Sequence, residues 1–125
     1  MKAYTNLEQS KKLAEILPFE SADMCFNMFN ISQRSHMPPL MTPYSKFNKF
    51  FNMETPDFLI PCWSLAALLG VLECPTLAQD KIGDGKTGWM VSAYPNGCRY
   101  DSNWYNSPID ACVEMIIKLH ELKML

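Results

Sequence analysis

Histidine is scarce in this chain of 125 residues, where only His36 and His120 occur. The five cysteines are also few, and none of them forms the C-x-x-C pair that is typical of zinc and redox motifs. Their odd number and irregular spacing do not suggest a disulfide framework either. We therefore expect reduced thiols that act as small buried hydrophobic residues, with no metal site and no cofactor.

Neither sign of charge dominates the sequence, and long apolar runs are missing from it. Lys and Arg number 11 against 13 Asp and Glu, so the formal net charge is -2. This balance provides no basic field for a phosphate backbone, which argues against nucleic acid as a partner. No apolar run reaches the roughly 20 residues that span a bilayer. The first 17 residues lack the apolar centre of a signal peptide, because charged residues interrupt them at Glu8, Lys11, Lys12 and Glu15. We therefore expect the protein to be cytoplasmic and expect no membrane partner.

Apolar residues make up 48% of the sequence and charged residues 19%, a balance typical of a globular protein. A chain of this length usually forms one domain, here residues 1–125, around its own hydrophobic core. Helical and strand-like patterns both occur along it. We predict the α+β class, with about four helices and a C-terminal β-hairpin packed around a buried helix at Cys62–Leu69.

The last segment, residues 106–125, has the clearest helical pattern. Ser107 is the predicted N-cap, and Pro108 follows at the first helical position. The predicted apolar face consists of Ile109, Cys112, Val113, Ile116 and His120. Residues 6–17 form a second predicted helix, with Thr5 and Glu8 as its capping box.

The segment Cys62–Leu69 is apolar on almost every side, and Ser64 is its one polar side chain. Pro61 suits a first helical turn, and Gly70 suits a C-terminal cap. A helix without a polar face is buried, so this helix is predicted to be the most buried element of the protein.

A β-hairpin is predicted around Asn96-Gly97, a dipeptide favoured in two-residue turns. Such a turn would pair Trp89 with Trp104. The alternation of strand side chains would then place five residues on one apolar face, namely Trp89, Val91, Ala93, Tyr100 and Trp104. Tyr105 would point outward.

Two further segments have simpler patterns. Residues 22–31 are predicted to contain a strand, and residues 79–88, QDKIGDGKTG, are predicted to be a turn-rich connection. The second segment resembles part of a phosphate-binding loop, but it lacks the full G-x-x-x-x-G-K-[ST] spacing. We therefore do not expect it to bind phosphate.

Enzymatic activity would have to use a cysteine or a histidine. Cys62 at a helix N-terminus would have a lowered thiol pKa, but a cysteine nucleophile also needs a base. Nothing in the sequence places His36 or His120 beside it. Structural roles are therefore the favoured interpretation, and no catalytic residue is assigned.

Aromatic residues are the candidates for partner binding. Residues 43–52 are predicted to form a short amphipathic helix, bounded by prolines. Its aromatic face consists of Tyr44, Phe47, Phe50 and Phe51. These rings are either core or a partner-binding face, since so short a helix needs a docking surface. Tyr105, expected to be exposed, is either an ordinary residue at the end of a strand or a further candidate contact.

Three segments resemble a known group of proteins. They are YTNLEQSKKLAEILPFESADM at 4–24, IPCWSLAALLGVL at 60–72 and SPIDACVEMIIKLHELKML at 107–125. Together they resemble a family of small uncharacterised proteins encoded by phages, prophages and mobile elements of gut anaerobes. The resemblance implies a mobile-element setting and action inside a bacterial host cell, and it implies no activity, cofactor or functional residue.

These observations leave three hypotheses open. The first is a non-enzymatic accessory protein of a phage or mobile element that binds a protein partner or a second copy of itself. The alternative is a nucleic-acid-associated accessory protein, which the acidic balance disfavours. The third is an enzyme that uses Cys62 or His120, which the lack of a paired nucleophile and base disfavours.

Overall fold

The computed structural model describes residues 2–27 and 59–125. Within these ranges three α-helices and two small antiparallel sheets form an α+β arrangement, as predicted. In chain order the elements are α1 (Leu7–Ala14), β1 (Met24–Asn27), β2 (Leu59–Cys62), α2 (Leu65–Val71), β3 (Thr76–Ile82), β4 (Lys86–Ala93), β5 (Tyr100–Asp101) and α3 (Pro108–Glu121). None of the helices in these ranges is long and apolar enough to cross a membrane.

The C-terminal helix α3 forms the centre of the core. Ser107 caps it as predicted, and the Ser107 hydroxyl accepts a hydrogen bond of 3.2 Å from the Ile109 amide. Eight residues of α3 are buried: Pro108, Ile109, Ala111, Cys112, Val113, Met115, Ile116 and Leu119. The helix contacts β4, α2 and α1, so its apolar side joins the sheet to the other two helices.

The prediction that Cys62–Leu69 forms one helix, and the most buried element, is wrong. Cys62 ends strand β2, and α2 starts at Leu65 with Ser64 as its N-cap. Within α2 only Leu68 is buried, whereas α3 buries eight residues. The apolar run at 60–72 is therefore divided between a strand and a short helix.

Pro61 explains part of this error, because it was expected to open a helix and lies in a strand instead. Strands β1 and β2 form a two-stranded sheet, in which Pro61 pairs with Cys25. Each strand of such a sheet has an outer edge, where the missing amide hydrogen of a proline costs no ladder hydrogen bond. Gly70 lies inside α2, and the cap is Leu72. The strand predicted within 22–31 is confirmed for the part at Met24–Asn27.

Helix α1 is confirmed in position, but its cap differs from the prediction. Asn6 rather than Thr5 is the N-cap, and Asn6 and Gln9 form the capping box with hydrogen bonds of 2.8 and 3.1 Å. Thr5 is fully buried. Its hydroxyl accepts a hydrogen bond of 3.1 Å from the Trp63 amide and lies 2.7 Å from the Ser10 hydroxyl. Thr5 thereby joins the N-terminal segment to the residues that follow β2.

The hairpin tip at Asn96-Gly97 has the predicted register, since Ala93 pairs with Tyr100. Asn96 has a φ of 54° and Gly97 a φ of 80°, which is the left-handed backbone that this dipeptide favours. The strand after the tip is short and ends at Asp101.

Residues 79–88, predicted as a turn-rich connection, instead belong to a second hairpin. Strands β3 and β4 pair at seven positions. Asp84 and Gly85 both have positive φ at the tip, and the Lys86 amide donates to the Gly83 carbonyl at 2.9 Å. Asp-Gly is a strong hairpin dipeptide in its own right, so the signal for this turn was present in the sequence.

The predicted aromatic helix over 43–52, with Tyr44, Phe47, Phe50 and Phe51, lies outside the described residues. Its assignment to core or interface stays a prediction. Among the described residues, the largest fully buried side chains include Trp63, Leu13, Leu68, Ile109 and Met115.

Candidate functional site

Cys62 is a buried structural thiol. It lies in strand β2 and not at the N-terminus of a helix, so no helix dipole lowers its pKa. The Cys62 thiol is fully buried and lies 3.4 Å from the Thr5 carbonyl, to which it donates. Burial is the main cause that raises the pKa of Cys62. A protonated thiol is a weak nucleophile, which makes catalysis by Cys62 unfavourable.

The other cysteines fall into two groups. Burial raises the pKa of Cys25 and raises that of Cys112 to about 12, so both thiols are protonated at neutral pH. Cys74 and Cys98 are exposed, and all five cysteines are free.

We expect the exposed and the buried cysteines to differ in their reaction with thiol reagents. In native protein treated with an aromatic disulfide reagent, Cys74 and Cys98 should react, and the three buried thiols should react only after unfolding. The measurement is a thiol titration with and without denaturant, with the reacted positions mapped by mass spectrometry. A Cys74→Ser, Cys98→Ser double variant serves as the control and should lose the native reaction. Rapid labelling of Cys62 in folded protein would contradict the structural role.

His120 is exposed near the end of α3, so it lies at the rim of the predicted apolar face and not in the core. It lines a groove of about 480 Å³ that also contains Ile16, Val71 and Leu125. None of the twelve residues that line this groove is a cysteine. Within 2–27 and 59–125, no group of three or more His, Cys, Asp or Glu side chains could hold a metal ion.

Residues 102–104 contain one residue more than regular pairing with β4 allows. Ser92 pairs with Asp101, while Trp89 pairs with Tyr105 rather than with the predicted Trp104. The chain advances by three residues from Ser92 to Trp89 but by four from Asp101 to Tyr105. The extra residue makes this segment a β-bulge. A shift of one residue exchanges the two faces of a strand.

The bulge therefore reverses the predicted orientation of the two aromatic residues. Trp104 was expected in the core, and its exposed fraction is 40%. Tyr105 was expected to be exposed, and it is half-buried against the core. Both parts of that prediction are wrong for the same geometric reason.

Hydrogen bonds to α3 hold the bulge in place. The Asn103 amide and the Asn103 side chain both donate to the Glu114 carboxylate, each at 2.8 Å. The Ser102 hydroxyl accepts from the Val91 amide at 3.0 Å, where a regular strand would offer a carbonyl. Lys118 donates to the Asp101 carbonyl at 3.3 Å. The bulge and the outer side of α3 are thus one connected surface.

A groove of about 520 Å³ lies along this surface, and we call it the α3 groove. Its apolar floor consists of Tyr105, Val113 and Ile117, and its charged rim consists of Asp110, Glu114, Lys118 and Glu121. Gln9 closes one end. From Asp110 to Glu121 the helix rises by about 17 Å, so the groove extends over three turns.

The charges of the rim are arranged unevenly. At one end Asp110 forms an ion pair of 2.6 Å with Lys2 and accepts from the Gln9 side chain at 2.8 Å. Burial first, and then Glu114 and Asp110, raise the pKa of Tyr105. The carboxylates therefore impose a negative potential on the floor of the groove.

Of the residues predicted to contact a partner, the structure places only Tyr105 in this groove, and the other four lie outside the described ranges. Sequence reasoning did not identify Ile117, together with the largely buried Val113, as the apolar floor of a groove. The available signal was Ile117 itself, an apolar residue on the helical stripe that otherwise carries Glu114, Lys118 and Glu121. Comparison of the chain with protein-family models, with curated proteins and with solved structures finds no match.

Proposed function

We propose that this protein is a non-enzymatic accessory protein that acts by binding another protein through the α3 groove. The observation that carries this proposal is the pattern of the groove, an apolar floor within a charged rim. Protein interfaces have the same pattern of an apolar centre and a polar rim, and they are enriched in tyrosine and tryptophan. Tyr105 lies in the floor, and the exposed Trp104 is its neighbour in the chain.

The shape of the groove favours a polypeptide as the occupant. A length of about 17 Å along α3 matches three turns of a docked helix. Amphipathic helices bind to such grooves with side chains at i, i+3, i+4 and i+7. The floor lies on a helix and an anchored strand end, so the binding surface is rigid before the partner arrives.

The alternatives have less support. The carboxylates of the rim would repel a phosphate backbone, which disfavours the nucleic-acid hypothesis. The raised pKa values of Cys25, Cys62 and Cys112 disfavour a cysteine enzyme. The setting that we propose is a bacterial cell that carries a phage or mobile element, as the resemblance of the three segments implies.

A charge placed in the groove floor should abolish binding. Peptides would be selected from a displayed random library on the intact protein, and their Kd would be measured by titration calorimetry. Ile117→Lys should weaken each groove-binding peptide at least about tenfold, since the loss of one anchor costs 1.4 kcal/mol or more. The half-buried Ile117 position allows the lysine stem to reach solvent, so the fold should survive.

The matched control is Leu122→Lys, because Leu122 has an exposed fraction of 47% and does not line the groove. It should leave each Kd within about twofold of the original, the scale of a neutral surface change. The proposed function would be refuted if the selected peptides bound the original protein, Ile117→Lys and Leu122→Lys equally well. It would also be refuted if the selection yielded no binder.

A further inference from the structure

We propose that the occupant of the α3 groove is a basic amphipathic helix of a protein partner, with an arginine or lysine against Tyr105 and Glu114. This inference rests on the proposed function and adds the chemistry of the partner. The remaining side chains of the occupant that face the groove are apolar and cover Val113 and Ile117.

The rim charges support a basic partner. Three carboxylates and one ammonium group line the groove, namely Asp110, Glu114, Glu121 and Lys118. Lys2 neutralises Asp110 in the ion pair at 2.6 Å. Lys118 also lines the groove and donates to the Asp101 carbonyl at 3.3 Å. The three carboxylates against Lys118 and Lys2 leave one net negative charge, and within the described ranges Glu114 and Glu121 are the rim carboxylates that form no ion pair.

Glu114 is the centre of this negative region. The neutral amide groups of Asn103 donate to its carboxylate, and the neutral Tyr105 hydroxyl is a further donor to it. These groups fix the carboxylate in position and leave its charge uncancelled. The carboxylate retains a lone pair for a donor from the partner. Tyr105 lies beside it in the floor, and the face of a phenol ring attracts a cation. A guanidinium group can satisfy the carboxylate and stack on the ring together.

The test uses three synthetic helical peptides with the same leucine stripe and with arginine, glutamine or glutamate at the flanking positions. Their Kd values for the intact protein would be measured by calorimetry, and their position by NMR chemical-shift changes at Tyr105 and Ile117. We expect the arginine peptide to bind at least about tenfold more tightly than the glutamine peptide, and the glutamate peptide to bind most weakly. The preference for arginine should decrease as salt is raised.

Glu114→Gln should reduce the affinity for the arginine peptide at least about fivefold, because the charge is removed. The substitution also removes one of the two oxygens that accept from Asn103, so the glutamine peptide, which should bind as before, reports whether the groove keeps its shape. Glu8→Gln is the control, since Glu8 is an exposed carboxylate of α1 that does not line the groove. Thermal melts establish that both variants are folded. Equal binding of the arginine and glutamate peptides, or no binding of any peptide at the groove, would overturn this inference.

The two proposals can fail separately. If library peptides bind the groove but carry no basic residues, the proposed function holds and the basic partner is refuted. If library peptides bind elsewhere on the protein, the proposed function itself is refuted.

Discussion

Replacing Trp63 with alanine is expected to lower the free energy of unfolding by about 3–5 kcal/mol, the range of large aromatic truncations in a core. Trp63 is fully buried and belongs to the core cluster. Its indole nitrogen donates to the Ser21 hydroxyl at 2.9 Å, and its backbone carbonyl accepts from the Thr5 amide at 3.0 Å. The truncation leaves a cavity and removes the hydrogen bond from the indole to Ser21, and both effects destabilise the protein.

Trp104→Ala is the matched control, because it makes the same chemical change at a residue with an exposed fraction of 40%. Its cost should stay below about 1 kcal/mol, the scale of surface changes. Urea unfolding followed by circular dichroism measures both values. If Trp104→Ala lowered the free energy of unfolding more than Trp63→Ala does, this result would contradict the bulge and the inward position of Trp63.

Leu68→Ala is expected to cost about 2–5 kcal/mol, as is usual for a leucine truncation in a packed core. Leu68 is the one buried residue of α2, and its side chain is fully buried. Helices α2 and α3 are in contact, so the lost methyl groups would leave a void within the core. The same unfolding experiment measures this change.

Leu69→Ala is the control for this second variant, since Leu69 is half-buried at the edge of the same core. Its cost should be clearly smaller, because it removes less buried area. A loss below about 1 kcal/mol for Leu68→Ala would place α2 outside the core.

The sequence predicts best where a local signal and the tertiary structure agree. Ser107 and Pro108 define the start of α3 before any packing is considered, and α3 is found there. Asn96-Gly97 likewise defines the register of the β4–β5 hairpin near its tip. Both signals act within a few residues and depend little on the rest of the fold.

Elements defined by distant contacts were harder to predict. Strand β3 is rich in polar and charged residues, so its low strand propensity gave little indication that it is a strand. It is a strand because β4 lies beside it and pairs with it. Pro61 suited a helix start, and only its pairing with Cys25 makes it part of a strand. The α3 groove was missed because it depends on the bulge, and the bulge depends on Glu114, which lies eleven residues away from Asn103.

The bulge at 102–104 has a consequence for how this surface could change over evolutionary time. A substitution alters one side chain, whereas deletion of a single residue between Asp101 and Tyr105 would restore regular alternation along the strand. Tyr105 would then be three steps from Asp101 and would still lie opposite Trp89, whereas the bulge that Glu114 holds through Asn103 would be lost. A change in length of one codon would thus alter the hydrogen-bonded wall of the groove while it keeps Tyr105 in the floor, so homologous chains aligned with a gap here are expected to differ in binding specificity.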